Sequence, residues 1–204
     1  MNASPAAEFN IVTELHSGLQ AFLVSTGVVA IAEIGDKTQL LALLLATRFR
    51  APWSIVLGIL VATLANHAFA SAVGTWLVNL IGADHMRWIV GVSFIAMAAW
   101  ALIPDDAPDE AATTPRYGVF LTTLVAFFLV EMGDKTQVAT VALAAQFQTI
   151  VWVVLGTTLG MMIANVPVVF AGEALIRRVP LKVVRIIAAL SFVALGAYAL
   201  LSAH

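Results

Sequence analysis

Glu33-Ile34-Gly35-Asp36-Lys37-Thr38-Gln39 recurs 98 residues later as Glu131-Met132-Gly133-Asp134-Lys135-Thr136-Gln137. Six of the seven letters are identical, and all six are polar or glycine, in a chain that is 61% hydrophobic. Chance would more readily repeat apolar letters. The same shift pairs Gly58 with Gly156, Gly74 with Gly172, Arg87 with Arg185, Ser93-Phe94 with Ser191-Phe192 and Trp100 with Tyr198. The chain is an internal duplication.

Composition fixes the solvent. Only 11% of the 204 residues are charged and the mean hydropathy is +0.98. A soluble domain carries about 45–50% apolar and about 25% charged residues, so the surplus here calls for lipid. The net charge of −2 offers nothing to a nucleic acid, and the absence of cysteine excludes disulfides, thiolate metal sites and thiol catalysis. Residues 1–16 contain Glu8 and Glu14 but no Lys or Arg, unlike a secretory signal, and are expected to form a polar tail.

Apolar stretches run at Gly18–Thr47, Pro52–Ile81, Arg87–Ile103, Tyr117–Gln146, Ile150–Ile176 and Val183–Leu201. Several exceed the roughly 20 residues that a straight span needs, which predicts tilt or a break. The acidic, Pro-containing run at residues 104–116 reads as a solvated linker. The expected fold is an all-α membrane protein with six transmembrane helices in two three-helix repeats, residues 17–103 and 117–204. An odd number of spans per repeat makes the second enter from the opposite side, the inverted plan of many secondary transporters. Arg48, Arg50, Arg116, Arg177, Arg178, Lys182 and Arg185 then share one face, against Arg87 alone on the other. The positive-inside bias predicts both termini outside.

The duplicated motif falls midway along the first and fourth stretches. At about 100° per residue, Glu33 and Asp36 share a helical face, as do Glu131 and Asp134. Gly35 and Gly133 between them permit a locally unwound backbone. An ionised residue at the bilayer centre costs about 2.5–3.5 kcal/mol on insertion scales. Pairing Glu33 with Lys37 and Glu131 with Lys135 at i,i+4 would offset part of that cost. Such pairing leaves both aspartates, and the repeated Thr and Gln, without a purpose.

Four carboxylates and the two charge-balancing lysines, Lys37 and Lys135, leave −2. That suits one divalent cation, or two protons in its absence. Carboxylate, amide and hydroxyl oxygens favour hard ions such as Mn²⁺, Ca²⁺ and Mg²⁺. Carboxylates removed from water also hold protons more readily, which makes them proton carriers. Glu33, Asp36, Glu131 and Asp134 are therefore the expected metal ligands, with Thr38, Gln39, Thr136 and Gln137 in support.

Asn66 and Asn165 lie near the middles of the second and fifth stretches, and each suits either a ligand or an interhelical hydrogen bond. His67 reads as packing, since a single membrane histidine has no partner in the pattern. Pro167 is expected to kink its helix, and Glu173 to pair with Arg177 at a helix end. Trp53, Trp88 and Trp152 sit where interfacial anchors sit. No nucleophile elbow, P-loop or zinc spacing is present, and nothing calls for a cofactor.

Two copies of E-φ-G-D-[KR]-[ST] (φ apolar), one per three-helix repeat, resemble the Gdt-type divalent cation–proton exchanger family across essentially the whole chain. That family includes bacterial manganese exporters and Golgi and chloroplast manganese/calcium transporters. The resemblance implies export of Mn²⁺, or movement of Ca²⁺, in exchange for protons across a bacterial-type plasma membrane. It also implies cation binding by Glu33, Asp36, Glu131 and Asp134. Three other readings stay open: a proton-coupled exporter of a small organic cation or amino acid, a passive cation channel, and a non-transporting scaffold. The first would want aromatic residues beside the motifs, the second is impeded by Lys37 and Lys135, and the third would want long soluble loops.

Overall fold

The computed structural model describes residues 5–104, 118–172 and 180–201, with side chains from residue 13 onward. The described residues form eight α-helices and no strand: α1 Pro5–Glu33, α2 Lys37–Phe49, α3 Pro52–Ile81, α4 Ala83–Ala101, α5 Val119–Glu131, α6 Lys135–Phe147, α7 Ile150–Ala171 and α8 Leu181–Leu201. Helices suit a chain immersed in lipid because they satisfy every interior backbone N–H and C=O within one segment.

Polarity is inverted relative to a soluble domain. Leu23, Phe69, Leu129 and Leu190 are 58–63% exposed, whereas Glu33, Asp36, Asn66, His67, Glu131, Asp134 and Asn165 are all at most 2% exposed. Such a surface would aggregate in water and is at home in hydrocarbon. Among the described residues, four segments are long and apolar enough to cross a membrane: Thr13–Glu33, Pro52–Ile81, Ile150–Ala171 and Leu181–Leu201.

The first and fourth apolar stretches are each broken at the motif. α1 stops at Glu33 and α2 restarts at Lys37; α5 stops at Glu131 and α6 restarts at Lys135. Gly35 (φ +83°) and Gly133 (φ +77°) make the turns, in a region that L side chains avoid. Asp36 (φ −81°, ψ 166°) and Asp134 (φ −78°, ψ 167°) follow in extended geometry as the N-caps of α2 and α6. Helices of 13 residues such as α5 and α6 reach about 20 Å each, short of the roughly 30 Å hydrocarbon core. Each therefore covers only part of a bilayer.

α1 packs along α7, α3 lies against α5, α6 and α7, and α4 packs along α8. Two glycines allow close approach at corresponding places. A Cβ on Gly58 would stand 2.7 Å from Thr123 Cβ, and one on Gly156 would stand 2.5 Å from the Phe22 carbonyl oxygen. α4 and α8 meet through Phe94 and Phe192, whose stacked rings lie 6.2 Å apart. Those two phenylalanines are themselves partners under the 98-residue shift.

Some expectations shift. Helix α1 begins at Pro5, so the segment expected to be a tail is helical from that residue on. Proline at a first helical position carries no N–H to waste, and polar side chains do not end a helix. Trp53 and Trp88 point outward, at 71% and 57% exposure. Trp152 instead turns in against Gly18 and sits edge-on to Phe22 at 6.4 Å. The linker at 105–116, Glu173, Arg177 and Arg178 lie outside the described residues.

Candidate ion-binding site

The breaks organise the site. At each one the N–H of the turn glycine loses its helical acceptor, and the glutamine of the same motif replaces it. Gly35 N–H donates to Gln39 Oε1 at 2.9 Å, and Gly133 N–H donates to Gln137 Oε1 at 2.7 Å. Gln39 Nε2 also donates to the Ala164 carbonyl of α7 at 2.9 Å. Both glutamines thus brace the backbone, and their side-chain oxygens are already occupied.

The threonines serve the glutamates. Thr38 Oγ1 donates to Glu33 Oε2, and Thr136 Oγ1 donates to Glu131 Oε1. Asn165 Nδ2 adds a contact to Glu33 Oε2 at 3.4 Å, alongside Met161 Sδ at 3.0 Å. The other oxygens, Glu33 Oε1 and Glu131 Oε2, are buried with no hydrogen-bond partner among the described residues. Buried acceptors left open in this way are costly and are suited to an ion.

The lysines pair across the two motifs and not at i,i+4 within them. Lys37 Nζ lies 2.8 Å from Asp134 Oδ1, and Lys135 Nζ lies 2.9 Å from Asp36 Oδ1. A continuous helix would have directed each lysine to the glutamate of its own motif. With the helix broken before it, each lysine opens a new helix and reaches the aspartate of the other motif. Asp36 and Asp134 make no side-chain capping bond to their own helices, which leaves their carboxylates for these cross-pairs.

Carboxylate oxygens of Glu33, Glu131 and Asp134 all lie within 4.8 Å of one another. Donors on one ion bonded at about 2.0–2.6 Å are separated by about 3–5 Å, so these three could share a cation. Asp36 is not in that trio and sits beside Lys135. Asn66 donates through Nδ2 to the Phe128 carbonyl at 3.1 Å, while its buried Oδ1 has no partner.

His67, read from the sequence as packing, is buried beside Glu131. The 98-residue shift pairs Asn165 with His67, not with Asn66. In space the correspondence holds: Asn165 faces Glu33, and His67 Nε2 stands 3.9 Å from Glu131 Oε1. Applying the motif's own shift to the asparagines would have revealed it.

A lipid-exposed helical bundle with its charge gathered at two helix breaks is an integral membrane protein of the transporter class. The sequence profile of the family described as "Divalent cation/proton antiporter GDT1" matches twice, over residues 21–109 and 119–204. The chain belongs to that family, which is one of transporters rather than enzymes. It is 47% identical over 168 residues to a "Putative manganese exporter" of Vibrio cholerae, covering 82% of this chain and 84% of that protein. A "GDT1-like protein 3" of Oryza sativa is 27% identical over 207 residues (88% and 73% covered). A GDT1-like protein of Synechocystis is 28% identical over 196 residues (85% and 93%). No solved structure matches the chain.

Proposed function

We propose that this protein exports a divalent cation, Mn²⁺ in preference to Ca²⁺, in exchange for protons. The observation that carries the reading is the meeting of Glu33, Glu131 and Asp134 from the two motif copies within 4.8 Å. Charge balance then assigns roles. The Lys37–Asp134 and Lys135–Asp36 pairs each sum to zero, so Glu33 and Glu131 alone carry the residual −2. One divalent cation neutralises it, and so do two protons. Thr38, Thr136 and Asn165 orient the two glutamates, while Glu33 Oε1 and Glu131 Oε2 stay open. Metal and protons then compete for the same oxygens, which is the minimum requirement for exchange. Asp134 contributes to the metal from the trio, and Asp36 acts chiefly by neutralising Lys135.

In this reading the chain has six spans in two inverted repeats, residues 17–103 and 117–204. The first and fourth spans are the broken pairs α1–α2 and α5–α6, and residues 104–116 form the linker. Both termini lie outside a bacterial-type plasma membrane. The hard oxygen donors favour a dication such as Mn²⁺ or Ca²⁺, and the manganese preference rests on likeness to the Vibrio cholerae protein. Two ion pairs across the centre favour exchange over an open cation pore.

The test is purified protein in liposomes with a trapped pH dye, challenged in turn with Mn²⁺, Ca²⁺ and a small organic cation. Proton movement driven by Mn²⁺ supports the reading, and movement driven by Ca²⁺ alone would change the substrate. Conductance without proton coupling would replace it with a channel.

A further inference from the structure

Among the described residues beside the two glutamates, His67 is the one that offers an imidazole nitrogen, where the carboxylates and hydroxyls offer oxygen. Its side chain is fully buried, and neither ring nitrogen has a hydrogen-bond partner among the described residues. Nε2 is 3.9 Å from Glu131 Oε1, too far for a hydrogen bond yet within the range for two donors on one ion; it stands outside the trio of Glu33, Glu131 and Asp134, so joining their ion takes a small shift of the ring or of Glu131. An imidazole buried with both nitrogens idle is costly unless something else uses it. The equivalent position in the other motif's surroundings holds Asn165, which spends its amide on Glu33 and Met161. Only the Glu131 side therefore offers a free lone pair on nitrogen.

We propose that His67 is a specificity-determining ligand, which gives the site its preference for a first-row transition dication over Ca²⁺ and Mg²⁺. The inference rests on the metal-binding reading above. Carboxylates alone suit Mg²⁺, Ca²⁺ and Mn²⁺ alike, whereas imidazole nitrogen adds to the binding of transition ions and little to that of alkaline earths. Specificity is a difference of affinities, and a single nitrogen donor supplies one without altering charge balance. Neutral imidazole leaves the −2 of the glutamates intact.

The experiment uses full-length protein in lipid nanodiscs with His16, His85 and His204 replaced by Gln, loaded with one equivalent of Mn²⁺. Pulsed electron paramagnetic resonance should detect ¹⁴N coupling to the manganese, and His67→Asn should abolish it. By equilibrium titration, His67→Asn should weaken Mn²⁺ binding about tenfold or more, with Ca²⁺ binding held within about twofold. Asn165→His should move the ratio the other way. A wild-type spectrum without nitrogen coupling would overturn the proposal with no variant needed. Equal weakening of both ions in His67→Asn would do so too, as the sign of a purely structural role. If the wild type binds no divalent ion, the metal-binding reading fails and the inference with it. If binding is abolished by Glu33→Gln and Glu131→Gln but the Mn²⁺/Ca²⁺ ratio ignores His67, this inference alone fails.

Discussion

Lys37 Nζ lies 2.8 Å from Asp134 Oδ1, and the two residues belong to different copies of the motif. The reciprocal contact, Lys135 to Asp36 at 2.9 Å, completes an exchange in which each copy neutralises the other's lysine. The pairs differ in exposure: the Lys37 side chain is 27% exposed and that of Lys135 only 6%.

That difference predicts unequal costs. Removing one partner of a buried ion pair costs about 3–5 kcal/mol, so Lys135→Met should approach that figure. Lys37→Met should cost less, because water already screens its pair. Adding Asp36→Asn to Lys135→Met should recover part of the loss, since no uncompensated charge then remains. Denaturation in detergent measures all three, and simple additivity of the two substitutions would count against the pairing.

Exchange should depend on all four motif carboxylates. Glu33→Gln, Glu131→Gln, Asp36→Asn and Asp134→Asn should each reduce metal-driven proton movement in vesicles to background. Insertion of the two glutamate variants should be preserved, because losing a buried charge lowers its cost, whereas each aspartate variant leaves a lysine unpaired and is judged per inserted protein. Full activity of the glutamate variants, normalised to inserted protein, would remove the motif from the mechanism.

The threonine hydroxyls should tune affinity rather than permit it. Partners that orient a metal ligand are commonly worth about 10–100-fold in affinity. Thr38→Val and Thr136→Val should therefore weaken Mn²⁺ binding within that range, and Ser at either position should restore it. Unchanged affinity in both Val variants would mean that the hydroxyls do not hold Glu33 and Glu131 in place.

Alanine at the turn glycines should be destabilising at both positions, by about 1–3 kcal/mol of backbone strain. Gly35→Ala should be the worse, because its Cβ would meet Leu181 Cδ2 at 2.6 Å, whereas none of the described residues lies within 4 Å of the corresponding point on Gly133. Leu181→Ala should erase the difference between the two glycine variants. Thermal unfolding of the four proteins is the measurement.

Orientation gives a last expectation. A reporter fused after His204 should be active only outside the cytoplasm, following the excess of Arg and Lys on the opposite face. Cytoplasmic activity would reverse the assignment of both termini.

Much of this was legible in the letters. The repeated glycines announced the helix breaks, and three charges per motif announced that something must compensate them. The partners were not legible, because i,i+4 reasoning assumes an unbroken helix and Asp36 and Asp134 end that continuity. His67 was obscured for a different reason: Asn66 and Asn165 look alike as letters, but position relative to the motif decides which side chain meets a glutamate. The exact start of α1 was hidden because polar residues such as Glu14 are as acceptable in a helix as in a tail.

The exchanged lysines have a consequence for how such a protein comes into being. Made as two separate polypeptides, residues 1–103 and 117–204 would each carry a lysine and a carboxylate set awaiting a stranger. Neither would be electrically complete until they met, and their meeting would depend on crowding in the membrane. Joined through residues 104–116, the encounter becomes intramolecular, at an effective concentration that a short tether raises to the millimolar range, about 1 mM or more. One reading frame thereby delivers both parts in equal number.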